Sequence, residues 1–192
     1  MLVVKPYDRE RAVQYAKRWA LKRNPLFIDF TGIGGNCTNF VSQALLAGSC
    51  TMNYTPDFGW YYVNAEDRAP AWSSVDFLYD FLTGAPAFLE KNGGVGPFAV
   101  EVPREQVVLG DVVQYANAQG DWYHSVIVTG FDGEEILVSA QSNDALDRPI
   151  SDYNFTTARF LHIAGVRVEI SDDTCFDFLY NGGEMPMDDP QA

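Results

Sequence analysis

Apolar residues recur at helical spacing near the start of the chain, where Ala12, Val13, Ala16, Trp19 and Ala20 fall on one face. Asp8 stands where an N-cap belongs, and Asn24-Pro25 stops the run. A glycine-rich turn, Thr31-Gly32-Ile33-Gly34-Gly35-Asn36, precedes a second predicted helix from Cys37 to Ala47. Phe40, Val41, Ala44 and Leu45 form its buried stripe, and Gly48 is placed to end it in a left-handed cap. Residues 49–72 show no periodicity but are dense in aromatics, which predicts a functional loop rather than disorder. A third helix is predicted over 74–82, with Val75, Leu78, Phe81 and Leu82 inward, a capping box at Ser73-Ser74-Val75-Asp76 and Gly84 at its end.

The pattern then changes to β. Gln106–Leu109 leads through Gly110-Asp111 into a strand ending near Tyr115, and His124–Thr129 is rich in β-branched residues. Phe131-Asp132-Gly133-Glu134 supplies a hairpin turn, and Glu135–Gln141 returns. A polar loop is expected over 142–156, followed by a last hairpin from Ala158–Ile163 and Val166–Ile170. Helices first and an antiparallel sheet after them make an α+β fold.

The chain has 192 residues, 47% of them hydrophobic, enough to bury a core and to exclude wholesale disorder. That length predicts a single domain over 1–192, with an acidic C-terminal extension over 171–192. No apolar run is long enough to span a membrane, and the N-terminal apolar stretch is too short for a secretory signal. A cytoplasmic location is therefore expected, with export still open should a signal have been trimmed. The net charge is −13, yet seven of the 13 basic residues lie between Lys5 and Arg23. One basic helix on an acidic body is read as a solvated face, and no nucleic-acid partner is expected. Three cysteines, Cys37, Cys50 and Cys175, offer no metal-binding spacing. Their odd number argues against a disulfide scaffold and for a reducing compartment. No metal and no cofactor are expected.

Cys37 carries the chemistry. A thiolate is the reactive form of cysteine, and a helix N-terminus stabilises an anion through unpaired N–H groups and the macrodipole. The same N–H groups can receive the oxyanion of a tetrahedral intermediate, and Asn36 is a further candidate for that role. The chain has only two histidines, so the choice of base is narrow. His124 opens a strand after a polar loop and is favoured, whereas His162 lies between Leu161 and Ile163 and reads as a sheet residue. A third group should accept from the second imidazole nitrogen. Gln141 and Asn143, at the end of the paired strand, are both candidates. Trp60, Tyr61, Tyr62 and Trp72 are expected to wall the substrate cleft. Cys50 and Cys175 follow no glycine-rich turn and are expected to be inert.

Several blocks resemble the bacterial putative amidase domain family: Tyr7–Ala16, Gly34-Gly35-Asn36-Cys37-Thr38-Asn39-Phe40-Val41-Ser42-Gln43, Gly59-Trp60-Tyr61-Tyr62, Trp72, Leu109–Gln114, His124–Val128 and Asn143-Asp144. The blocks carrying Gly110-Asp111 and His124 are shared more widely among NlpC-type and CHAP-type cysteine peptidases. The resemblance implies an amidase core over 6–170 and a papain-like, NlpC-like α+β fold, with the nucleophile at a helix N-terminus packed on an antiparallel sheet. It also implies amide hydrolysis through Cys37 and His124, on a peptide or other amide substrate that includes cell-wall peptides. Related sequences carry His where this chain has Gln141, which leaves the third role open between Gln141 and Asn143. Two other functions fit the same residues, a catalytically silent binding module and a cysteine acyl transferase.

Overall fold

A computed structural model describes residues 1–169 and 174–184. The expected acidic extension over 171–192 therefore lies partly outside the described residues. The chain forms β1 (Val3–Lys5), α1 (Arg9–Trp19), α2 (Cys37–Ser49), α3 (Pro70–Ser73), α4 (Val75–Thr83), α5 (Pro86–Asn92), β2 (Gly96–Val102), β3 (Val112–Ala116), β4 (Trp122–Asp132), β5 (Glu135–Ala140), β6 (Ala145–Pro149), β7 (Thr157–Val168) and α6 (Cys175–Tyr180). The sheet runs β1-β7-β3-β4-β5-β6, with β2 on β7, and all its pairings are antiparallel. The α+β class follows directly.

Asp8 caps α1 by accepting from the Arg11 N–H at 3.0 Å. The helix buries Ala12, Tyr15, Ala16 and Trp19 against α2, every residue of which is buried. Gly48 is not the cap of α2. It lies inside the helix, and Cys50 takes the left-handed position at φ 48°. The glycine is required by a crossing: a Cβ there would lie 2.4 Å from the Tyr7 ring and 2.7 Å from the Asp8 carbonyl oxygen. Gly84 does cap α4 at φ 70°, but Ser74 makes no side-chain cap there.

The expected last hairpin is one continuous strand, β7. Ala164-Gly165 reads locally as a turn, but Gly165 lets β1 and β2 close on β7 from both sides. A Cβ at Gly165 would meet Val4, Phe98 and the Lys5 carbonyl at 3.0–3.2 Å. The expected polar loop over 142–156 contains β6, which pairs with β5 and sets Arg148 opposite Val138.

One apolar cluster lies between the helices and the sheet and includes Trp19, Phe40, Leu45, Trp60, Trp72 and Ile127. A second lies on the opposite face, around Val113, Tyr115, Val126, Val138 and Ile150. Trp60 and Trp72 are fully buried. The Trp60 indole donates to Ser42 Oγ at 3.0 Å, and the Trp72 indole donates to Asn39 Oδ1 at 2.7 Å. Tyr62 packs on Phe27 and Trp72, and Tyr61 packs on Tyr54. The aromatic loop thus closes the core over α2.

The cysteines also differ from expectation. Cys50 and Cys175 form a disulfide with Cα atoms 5.5 Å apart, and Cys37 is the free thiol. The pairing was illegible because no local spacing marks two cysteines 125 residues apart. The bond fastens α6 to the C-terminal end of α2. Asn24 Nδ2 and Trp19 Nε1 strengthen that docking by donating to the Leu179 and Tyr180 carbonyls at 2.9 and 3.2 Å.

Candidate active site

Two glycines in left-handed conformations, Gly34 at φ 105° and Gly35 at φ 104°, turn the chain sharply into α2. Cys37 is the first residue of that helix. His124 lies near the start of β4, directly opposite Tyr115 of β3. Both side chains line one cavity of about 450 Å³ with Gly34, Gly35, Ser142 and Arg148. Each residue is only 8% exposed.

A polar framework holds the start of α2. Asn36 is 1% exposed. Its Oδ1 accepts from the Phe30 N–H at 2.9 Å and from Asn39 Nδ2 at 2.8 Å, while its Nδ2 donates to Gln141 Oε1. The Asn36 backbone N–H donates to Ser142 Oγ, and Ser142 sits at φ 82°, a conformation uncommon outside glycine. Two expectations are corrected here. The Asn36 side chain is engaged in the framework and does not line the cavity in which the oxyanion role is expected. Gln141 does not reach His124. Its Nε2 donates to the Trp19 and Lys22 carbonyls at 2.8 and 2.9 Å, which ties the loop before α2 to the end of α1.

A second chain of hydrogen bonds reaches the sulfur from behind. Arg159 Nε donates to Gln114 Oε1 at 2.7 Å, and Gln114 Nε2 donates to Ser125 Oγ at 3.1 Å. Ser125 and Thr38 hydroxyls lie 3.1 Å apart, and Thr38 Oγ1 is 3.8 Å from Cys37 Sγ. Ser125 accepts from Gln114, and in the Ser125–Thr38 and Thr38–Cys37 contacts either partner can donate. The buried chain thus links a guanidinium to the thiol of Cys37. Arg159 itself is held between the Tyr79 and Trp122 rings, at 3.7 and 3.9 Å from their centroids.

His124 has a different environment. Among the described residues, neither ring nitrogen has a hydrogen-bond partner. The imidazole lies instead among Tyr115, Tyr123 and Tyr153, with centroids 5.9–6.2 Å away. Burial, and secondarily the Arg148 guanidinium, lower its pKa to about 4. The ring is therefore neutral at neutral pH. Unfolded histidine titrates near 6.5, so acidification from there toward pH 4 protonates the unfolded chain but not the fold. The stability present above pH 6.5 is lost through that window, by about 3 kcal/mol. Urea denaturation at pH 7.5, 5.5 and 4.5 should show this loss and a flatter profile in His124→Gln. Equal slopes in the two proteins would contradict it.

Asn143 lines the cavity but makes no hydrogen bond to His124, and it is exposed. Trp60, Tyr61, Tyr62 and Trp72 do not line it. His162 sits elsewhere, with Nδ1 3.0 Å from an Asp111 oxygen and Asp111 paired to Arg9 at 2.6 Å. Sequence reading missed Ser142, Arg148 and Tyr153, which join the cavity through β6 and the turns around it. Nothing local marked them, since the segment reads as an irregular polar stretch. Among the described residues no group of His, Cys, Asp and Glu could hold a metal ion, and no helix is long and apolar enough to cross a membrane.

The chain is 34% identical to the uncharacterized protein YhbB of Bacillus subtilis (strain 168) over 172 residues, which cover 88% of this chain and 51% of that protein. It is 29% identical to the uncharacterized protein YjcM of the same organism over 154 residues, 76% of this chain and 33% of that one. The chain thus spans about half of one of these curated relatives and about a third of the other. No solved structure matches. Residues 6–164, from the strand–helix entry through Cys37, His124 and most of β7, match the family described as "putative amidase domain", and the chain belongs to that family.

Proposed function

We propose that the protein hydrolyses amide bonds through a thioester on Cys37, on a papain-like, NlpC-like framework. The observation that carries this reading is one cavity lined by both the first residue of a helix, a cysteine, and a buried neutral histidine. The imidazole takes the Sγ proton, and the thiolate attacks the amide carbonyl carbon. The backbone N–H of Cys37, unpaired within its helix, receives the oxyanion. His124 returns the proton to the leaving amine as the C–N bond breaks. It then draws a proton from the water that attacks the thioester, which releases the acid and restores the thiol.

The Thr38 hydroxyl supports the anion from behind. Hydrogen bonds to charged groups contribute about 1.5–3 kcal/mol, so Thr38→Val should slow turnover roughly 10- to 100-fold. An unchanged rate in a folded variant would remove Thr38 from the mechanism. Asn143 remains in the proposal as the cavity residue able to orient the imidazole once substrate is bound.

The test is turnover of peptidyl aminomethylcoumarin amides, with and without hydroxylamine. Fluorophore release together with a carboxylic acid product supports hydrolysis. Hydroxamate formed at the expense of acid supports a thioester, and preferential use of an amine acceptor would favour acyl transfer. The unpartnered imidazole is the feature that favours a silent binding module, and absence of turnover across the panel would support it. The disulfide belongs to an oxidising compartment, and we favour that over the cytoplasmic location expected from the N-terminus.

A further inference from the structure

Arg148 is the cation of the Cys37–His124 cavity, on a chain whose net charge is −13. Its immediate acidic neighbours are committed elsewhere. Asp144 pairs with Arg23 at 2.9 Å, and Asp147 pairs with Lys17 at 2.9 Å. Among the described residues Arg148 itself has no ion-pair partner. One guanidinium nitrogen, Nη2, donates to the Asp152 backbone carbonyl at 2.7 Å, and the group lies 4.4 Å from the Tyr153 ring centroid. That platform fixes the plane of the fork, and most of its five N–H donors have no protein acceptor. The exposed Asp152 carboxylate also lines the cavity but lies beyond ion-pair distance of Arg148.

The placement has a cost to the base. A fixed positive charge near His124 opposes its protonation, and protonation is what the nucleophile needs. An arginine in that position is counterproductive unless the substrate brings a negative charge. A bound carboxylate would neutralise the guanidinium and relieve the repulsion, so that the base strengthens only when the right substrate is present.

We propose that Arg148 is the specificity-determining residue of this site, binding a substrate carboxylate next to the scissile amide. The substrate class is then peptides or acylated amino acids with a free carboxylate within about one residue of the bond cleaved. This inference rests on the reading of Cys37 as nucleophile.

Iodoacetate and iodoacetamide test it without a known substrate. Both lose iodide to the same thiolate and differ in charge, and with the Cys50–Cys175 bond closed, Cys37 is the thiol they report. The ratio of their alkylation rates at Cys37, located by peptide mapping, should fall roughly tenfold in Arg148→Met and be largely kept in Arg148→Lys. Any change in thiolate fraction cancels in the ratio. In the wild-type protein the ratio should also fall as salt rises, a reading that needs no variant. Rapid alkylation by iodoacetamide with a ratio unaffected by the substitution and by salt would overturn the carboxylate proposal alone. A wild-type Cys37 no more reactive toward iodoacetamide than a simple thiol would overturn both that proposal and the nucleophile it rests on.

Discussion

Cys37→Ala is expected to lower amide turnover by about 10⁴-fold or more, the scale of loss when a nucleophile is deleted from a site whose residues act as a unit. The substitution removes one sulfur from a position already small and buried, and the contact it loses is the one with Thr38. The framework that builds the turn belongs to Asn36, Asn39, Gln141 and Ser142 and does not pass through the sulfur. The variant should therefore fold, bind substrate and fail to turn it over. Residual hydrolysis within tenfold of the wild type would place the reaction on another group.

Opening the Cys50–Cys175 bond should have the largest effect on stability. A cross-link closing a loop of this length restrains the unfolded chain by about 4–5 kcal/mol in the chain-entropy account. The Cys50→Ala/Cys175→Ala protein should show that loss in urea denaturation, and the wild type should show it on full reduction. Alkylation of Cys37 should barely change, because Cys50 follows the far end of α2, about 20 Å from Cys37 at 1.5 Å per residue. A stability change under about 1 kcal/mol would mean that α6 is held by its packing on Trp19 and Asn24 rather than by the bond.

The parts of this protein that were legible in its sequence are those with local causes. The stripe in α1, the glycines before Cys37 and after Thr83, and the Asp132-Gly133 hairpin each announce themselves within a few residues. Cys37 was readable because glycines, helix start and thiol are contiguous. His124 was readable because the chain has only one other histidine, and that one lies deep in a strand. The misreadings are all long-range. Gly165 looks like a turn until β1 and β2 are seen crowding it. Gly48 looks like a cap until Tyr7 crosses it. Aromatic density over 54–72 does not say which way the rings face, and Trp60 and Trp72 find indole acceptors on α2. The partners of Gln141 lie 105–122 residues away, so no pattern near Gln141 could show that it braces the nucleophile loop rather than the base. Arg148 entered the site only because β6 pairs with β5.

The central claim is that His124 takes the proton of Cys37, and the pH dependence of Cys37 alkylation by iodoacetamide tests it most directly. Proton transfer inside the pair consumes no proton from solvent. The wild-type rate should therefore stay nearly level from about pH 5 to pH 7.5, above the imidazole pKa of about 4. In His124→Ala that internal route is lost, and the rate should depend on pH throughout the same range. At pH 5.5 the wild type should react faster than His124→Ala. Superimposable profiles, both falling tenfold per unit, would show that the sulfur and the imidazole do not act together.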